Sequence, residues 1–307
     1  MKRRTFLTTS LAATTGVALG GFPAILKAQS AETRITVLHT NDTHSQIEPM
    51  VAGVNVGKGG ISRRMTLIKQ VRQESPNTIL VDGGDVCQGT PYFNFYRGEV
   101  EYKAMSMMGY TAGTLGNHEF DNGVGPLTKA LSFANFPIVN ANYDFSGTPK
   151  LRARVKPFIV RTFGGIRVGI FGLGVNFKNL VLPDNHKGIK YRDPIDVSRR
   201  VVKQLREREG CDFVLALSHL GYPKDNIGTN LLMHDIMVAE QVDGIDFIVG
   251  GHTHMWMDKP DVITRPGGGR TLLFQAGYAG VRMGRVDFYF RDQKLAAWNG
   301  KPNEECV

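Results

Sequence analysis

Five short apolar runs of this sequence end at once in clusters of Asp, Asn, His and Gly. They are Leu38-His39-Thr40-Asn41-Asp42-Thr43-His44, Val81-Asp82-Gly83-Gly84-Asp85, Leu115-Gly116-Asn117-His118-Glu119-Phe120-Asp121, Leu217-Ser218-His219 and Val249-Gly250-Gly251-His252-Thr253-His254. Apolar runs of this kind, rich in β-branched residues and closed by Gly, Asn or Asp, read as strands. They predict strands near 34–40, 78–82, 111–115, 137–141, 167–173, 212–217, 245–249, 271–276 and 284–290. Helical stretches fall between them, near 61–74, 99–108, 125–134, 194–209 and 230–241. Strand and helix alternate, which predicts an α/β fold with helices covering the sheet faces. The last strands, near 271–290, have no helix between them and read as an antiparallel pair. Residues 31–307 carry no linker, repeat or low-complexity stretch, so one domain is expected.

The chain has 307 residues, 42% of them hydrophobic and 21% charged. That balance excludes a disordered chain, a collagen and a coiled coil. No apolar run reaches the roughly 18 residues of a membrane span, so a chain without a membrane partner is expected once its leader is removed. Residues 1–30 have the layout of that leader: Lys2, Arg3 and Arg4, a mildly apolar run, then Ala28-Gln29-Ser30-Ala31. Arg3-Arg4 followed by Phe6-Leu7 is similar to a twin-arginine signal, which implies export to the periplasm of an already folded chain. Lys2, Arg3, Arg4 and Lys27 hold four of the nine net positive charges. The remaining basic residues are scattered and match no nucleic-acid-binding motif, so no nucleic-acid partner is expected. Cys87, Cys211 and Cys306 are too few for a disulfide framework; the first two read as small buried hydrophobes and Cys306 as part of a loose tail.

Five of the eight histidines follow the end of an apolar run, where open α/β sheets place their ligand sites. Asp42-x-His44 and His252-x-His254, in extended backbone, turn both side chains of each pair to one side, and two such pairs suffice to grip an ion. A second ion is served by Asn117, His219 and one of His252 or His254, with Asp85 placed to bridge through its two oxygens. Oxygen and imidazole donors without thiolate suit zinc, manganese, iron or cobalt. His39 reads as a core residue, and His186 and His234 as surface or helix residues. The aromatic run Tyr92-Phe93-Asn94-Phe95-Tyr96 fits either base stacking or packing of a helix onto the core. Arg63 and Arg64 fit either phosphate contact or an exposed helix face.

The order Asp-x-His, Gly-Asp, Gly-Asn-His-Glu, Ser-His, Gly-His-x-His resembles the calcineurin-like metallophosphoesterases, and the first, third and last motifs resemble their bacterial 5′-nucleotidase branch. The resemblance covers about 34–290. It implies a four-layer α/β/β/α sandwich with two central mixed sheets and two divalent ions. One ion would be held by Asp42, His44, Asp85 and His254, the other by Asp85, Asn117, His219 and His252. It further implies in-line attack on phosphorus by a hydroxide bridging the ions, with His118 as general acid and Asp121 orienting it. Two divalent ions less the charges of Asp42, Asp85 and the hydroxide leave the site net positive toward a phosphate dianion. The expected activity is an exported phosphomonoesterase acting on nucleoside 5′-phosphates. Thiosulfohydrolase or cyclic-nucleotide phosphodiesterase activity are its enzymatic alternatives, and a binding protein that keeps the fold without turnover is the third class.

Full-length bacterial 5′-nucleotidases continue into a C-terminal domain that binds the base, whereas this sequence ends at Val307. Two expectations follow: an open, permissive site that works alone, or a separately encoded nucleotidase C-terminal chain as partner. Gln46 stands where many members of the family carry a basic residue or His, which would alter the rim of the pocket.

Overall fold

The computed structural model describes residues 32–223 and 233–306. The leader expected over residues 1–30 lies outside the described residues. The strands are β1 (Thr33–Thr40), β2 (Thr78–Asp82), β3 (Ala112–Gly113), β4 (Ile138–Val139), β5 (Tyr143–Asp144), β6 (Val155–Lys156), β7 (Phe158–Phe163) and β8 (Ile166–Leu173). They continue as β9 (Lys190–Tyr191), β10 (Phe213–Ser218), β11 (Phe247–Val249), β12 (Asp261–Thr264), β13 (Arg270–Phe274), β14 (Arg282–Arg291) and β15 (Lys294–Glu305). The helices are α1 (Ile61–Glu74), α2 (Pro91–Tyr96), α3 (Glu99–Met108), α4 (Val124–Ala130), α5 (Pro149–Arg152), α6 (Pro194–Lys203) and α7 (Asp235–Gln241).

Two mixed sheets result. The first runs β15-β14-β1-β2-β3-β4-β6 and the second β12-β13-β11-β10-β8-β7, with a separate β5-β9 ribbon. Strands β1, β2, β3, β4 and β6 are mutually parallel, as are β13, β11, β10 and β8; β7 and β12 are antiparallel edges of the second sheet, and β14 runs antiparallel between β1 and the edge strand β15. Alternation along β1 shows how the layers form, because successive side chains leave a strand on opposite faces. Ile35 and Val37 join one buried cluster with Phe213, Phe247 and Phe288 from between the sheets, while Leu38 joins another with Ile68 of α1 and Tyr102 and Met105 of α3. Val197 and Val201 of α6 and Val238 of α7 cover the second sheet from the far side. The layers are therefore helix, sheet, sheet, helix, as the resemblance implied.

Local chemistry sets the element ends. Asp193 caps α6 by accepting from the Asp196 amide at 2.9 Å, and Pro194 fills the first turn, where no amide partner is needed. α3 stops at Gly109, whose φ of 73° ends the helix in the left-handed region.

Three expectations need correction. The final strands are not paired with each other: β13 lies in the second sheet beside β11 and β12, and β14 crosses to the first sheet beside β1 and β15. Each is antiparallel to one neighbour or more, and the link between them, 275–281, passes over the site. Cys306 is buried at 1% exposure, not part of a loose tail; its amide donates to Val281 O and its carbonyl accepts from Gly59 N. The strand expected over 111–115 shrinks to Ala112–Gly113, because the chain turns early to present Asn117 and His118.

Ile248 is fully buried on the face of β11 opposite Phe247, which packs against Phe288 between the sheets. Ile248→Val removes one methyl from a packed core and is expected to cost about 1 kcal/mol. A melting midpoint about 3 °C lower would show it; an unchanged midpoint would mean that this layer is loosely packed.

Candidate functional site

The parallel strands of both sheets deliver their C-terminal turns to one edge, where six of the seven expected ligands gather in two groups and Asn117 heads the turn after β3. Asp42, His44 and His254 form one group whose donor atoms lie within 4.8 Å of one another; Asp85, His219 and His252 form a second. The two members of His252-x-His254 thus separate, one to each group. The backbone is not extended there. Asp42, His44, Asp85, His252 and His254 all have φ between 46° and 73°, a region that non-glycine residues rarely occupy. Left-handed turns, rather than strand alternation, aim these side chains, and such strain persists where the surroundings fix it.

Cross-links between turns do that fixing. The Asp42 amide donates to Gly84 O (2.9 Å), its carbonyl accepts from Ala279 N (2.7 Å), and its carboxylate accepts from Asn41 Nδ2 (2.6 Å) and the His252 amide (3.0 Å). The His44 amide donates to Asp85 O at 3.1 Å. His219 Nδ1 donates to Gly83 O at 2.8 Å; a carbonyl only accepts, so Nδ1 holds a proton and Nε2 is the nitrogen turned to the site.

The residues fit a pair of cations. His44 Nε2 and His254 Nε2 converge to 3.0 Å, and His254 Nε2 sits 3.4 Å from Asp42 Oδ1. His219 Nε2 lies 2.9 Å from Asp85 Oδ2. Asn117 Oδ1 is buried and accepts from no donor among the described residues. A Cβ on Gly116 would fall 2.2 Å from Asp85 Oδ1, so only glycine lets the backbone pass the cradle.

Burial opposes charge on His219, but the carboxylates of Asp85 and Asp42 outweigh it and push the imidazole up to about 10. Burial likewise works against ionised Asp85, and the His219 beside it holds the carboxyl below the usual range. His252 is pushed down to about 4, first by burial and then by His219. Such opposed environments mark a built electrostatic site.

His118 stands at the rim. Its amide donates to Asp85 Oδ1 at 2.8 Å, its ring lies 5.3 Å from that of His44, and its Nδ1 meets Asp121 Oδ2 at 2.8 Å. The Asp121 hydrogen bond is the main cause of its raised pKa. His39 is buried between the sheets against Phe247 and Phe274. His186 stacks on Phe177, and His234 precedes α7. The structure brings none of the three to the ligand groups. In α2, Phe93 is buried, whereas Phe95 and Tyr96 are exposed. Arg64 is not on an exposed face: it is buried, and Nη2 donates to Gln46 O at 2.7 Å, while Arg63 reaches the carbonyl of Gly57.

Two features escaped the sequence reading. Glu119, quoted within its motif but given no task, is buried and accepts four backbone amides: Val86 (2.8 Å), Cys87 (3.2 Å), Asp85 (3.1 Å) and Gly116 (2.6 Å). One carboxylate thus shapes the turns after β2 and β3. The other is Tyr278, whose ring stacks on His254 at 5.4 Å with Trp256 edge-on beyond it; no motif marks either residue.

Known proteins share this arrangement. The chain is 34% identical over 300 residues to the trifunctional nucleotide phosphoesterase protein YfkN of Bacillus subtilis, with 88% of the chain and 19% of that protein covered. It is 31% identical to the 5′-nucleotidase of Vibrio vulnificus, covering 96% of the chain and 56% of that protein. Among solved structures, the 5′-nucleotidase precursor of Thermus thermophilus superposes with a TM-score of 0.78 at 33% identity, over 89% of the chain and 54% of that structure. The chain therefore spans little more than half the length of these relatives, or less. Residues 35–256 match the calcineurin-like phosphoesterase family, and the chain belongs to that family.

Proposed function

We propose that this chain is an exported two-metal phosphomonoesterase that hydrolyses nucleoside 5′-phosphates. The observation that carries the reading is the His118–Asp121 pair, closed at 2.8 Å, at the rim of two adjoining ligand groups. Asp42, His44, Asp85 and His254 would hold one ion and Asp85, Asn117, His219 and His252 the other. When bound, such ions supply Lewis acidity that activates water and neutralises phosphoryl oxygens. The chain's own part is proton supply and orientation. Asp121 accepts from His118 Nδ1 and keeps the ring charged, so His118 Nε2 can give its proton to the ester oxygen as the P–O bond breaks. That oxygen keeps the bonding electron pair and leaves as the alcohol. The water oxygen forms the new bond to phosphorus from the opposite side, losing one proton to solvent. Names of the relatives support nucleotides as substrates. Arg3-Arg4 and Phe6-Leu7 support export through the twin-arginine route.

Phosphate release from 5′-AMP and from p-nitrophenyl phosphate, with zinc or manganese added, tests the proposal. p-Nitrophenolate leaves without a proton, whereas the ribose alkoxide needs one. His118→Asn is therefore expected to slow 5′-AMP about 100-fold and p-nitrophenyl phosphate by less than about tenfold. Equal losses on both would remove His118 as the acid. Release of sulfate from a thiosulfonate, with none of phosphate, would replace the reading altogether.

A further inference from the structure

β8 ends on the same edge as β10 and β11, yet the loop that follows it, 174–189, brings no residue to either ligand group. It contacts the turn that carries the acid instead. Asn185 Nδ2 donates to the main-chain carbonyl of Asp121 at 2.7 Å. Phe177 meets Phe120 edge-on at 4.8 Å, and its faces are stacked by Tyr143 and His186, both at 4.5 Å. Asn185 is itself seated, for its amide donates to Leu182 O at 2.9 Å within the 3₁₀ turn Pro183–His186.

The turn under it is anchored by Glu119 and Phe120, both buried, whereas Asp121 just past them is only half-buried. His118–Phe120 is one turn of 3₁₀ helix, closed by Phe120 N to Asn117 O (3.1 Å) and Asp121 N to His118 O (3.2 Å). The side chains of His118 and Asp121 are 32% and 30% exposed, so packing alone does not lock their rotamers. A proton donor must be held within a fraction of an ångström of its productive place, and an external brace on the Asp121 backbone serves that need.

We propose that Asn185 is a positioning residue for the leaving-group acid: it fixes the Asp121 backbone, and through it the carboxylate that orients His118. The proposal rests on the reading of His118 as general acid. Losing the brace weakens proton donation without touching the metal ligands, so its signature depends on the leaving group.

The test uses the full chain with zinc or manganese, and both Asn185→Ala and the isosteric Asn185→Asp, which keeps the volume but loses the donor. For each, kcat on 5′-AMP is expected to fall about tenfold, and kcat on p-nitrophenyl phosphate by less than about twofold. In the His118→Asn background, Asn185→Ala should add nothing on 5′-AMP, because two residues acting through one group are not additive. In the metal-free chain, the His118 Nδ1–H proton signal should weaken in Asn185→Ala, a readout independent of turnover. Equal losses on both substrates, or a full further loss in the His118→Asn background, would overturn the brace. If His118→Asn alone leaves the substrate ratio unchanged, the acid reading itself falls and takes this one with it. If His118→Asn shifts the ratio and Asn185→Ala does not, only the brace falls.

Discussion

Asp85→Asn is expected to lower metal-dependent phosphate release at least about 1,000-fold, a loss of about 4 kcal/mol in transition-state stabilisation. Two side-chain contacts explain why this near-isosteric change is so costly. Asp85 Oδ1 accepts from the His118 amide at 2.8 Å, and Oδ2 faces His219 Nε2 at 2.9 Å. An amide in this place has one acceptor oxygen, so its NH₂ must point at a donor or at the metal position. It also carries no charge to offset two cations. Elemental analysis should show the bound metal falling from about two ions per chain to about one. The metal-free chain should also melt below the wild type, because the variant takes the carboxylate out of a buried pair and leaves His219 without its counter-charge. Full activity with two ions bound would sink Asp85 as the shared ligand.

What the sequence shows depends on how local the cause is. The turns after β1, β2, β3, β10 and β11 are spelled out in contiguous motifs, because each ligand needs a strand end, a small residue and a side chain with a lone pair. Their positions at one edge follow from parallel pairing alone. The means of aiming is not local: the Asp-x-His pair looks like strand alternation, but the chain uses left-handed turns held from other loops. The fates of β13 and β14 are also invisible in the sequence. Both are apolar runs without a helix between them, a pattern shared by a hairpin and by a strand crossing from one sheet to the other. Tyr278 and Asn185 reach their partners across 24 and 64 residues of chain, and a lone Tyr or Asn has no spacing that announces such a contact.

Glu119 is the residue whose loss should most damage the scaffold of the site, and Glu119→Gln is expected to destabilise the chain by about 4 kcal/mol, since each buried amide left without an acceptor costs roughly 1–3 kcal/mol. Its two oxygens accept four amides from two turns, Val86 and Cys87 on one oxygen, Asp85 and Gly116 on the other. Glutamine keeps one oxygen and so serves two amides; its NH₂ then confronts the other two, donor against donor. Burial raises the pKa of Glu119, with Asp85 adding to the shift. The chain therefore accepts the cost of a desolvated carboxylate in exchange for the geometry of both turns, and no neutral side chain of that length offers four acceptor positions. The midpoint should drop by about 10 °C, and the drop should persist in chelator, because the amides are stranded with or without metal. Metal affinity should weaken about 10–100-fold as well, since these turns carry Asp85 and Asn117. Metal content separates the two carboxylates: Asp85→Asn removes an ion outright, whereas Glu119→Gln keeps both at about 10–100-fold weaker affinity. A chelated Glu119→Gln chain that melts within about 1 °C of the wild type would mean that the turns hold their shape without it.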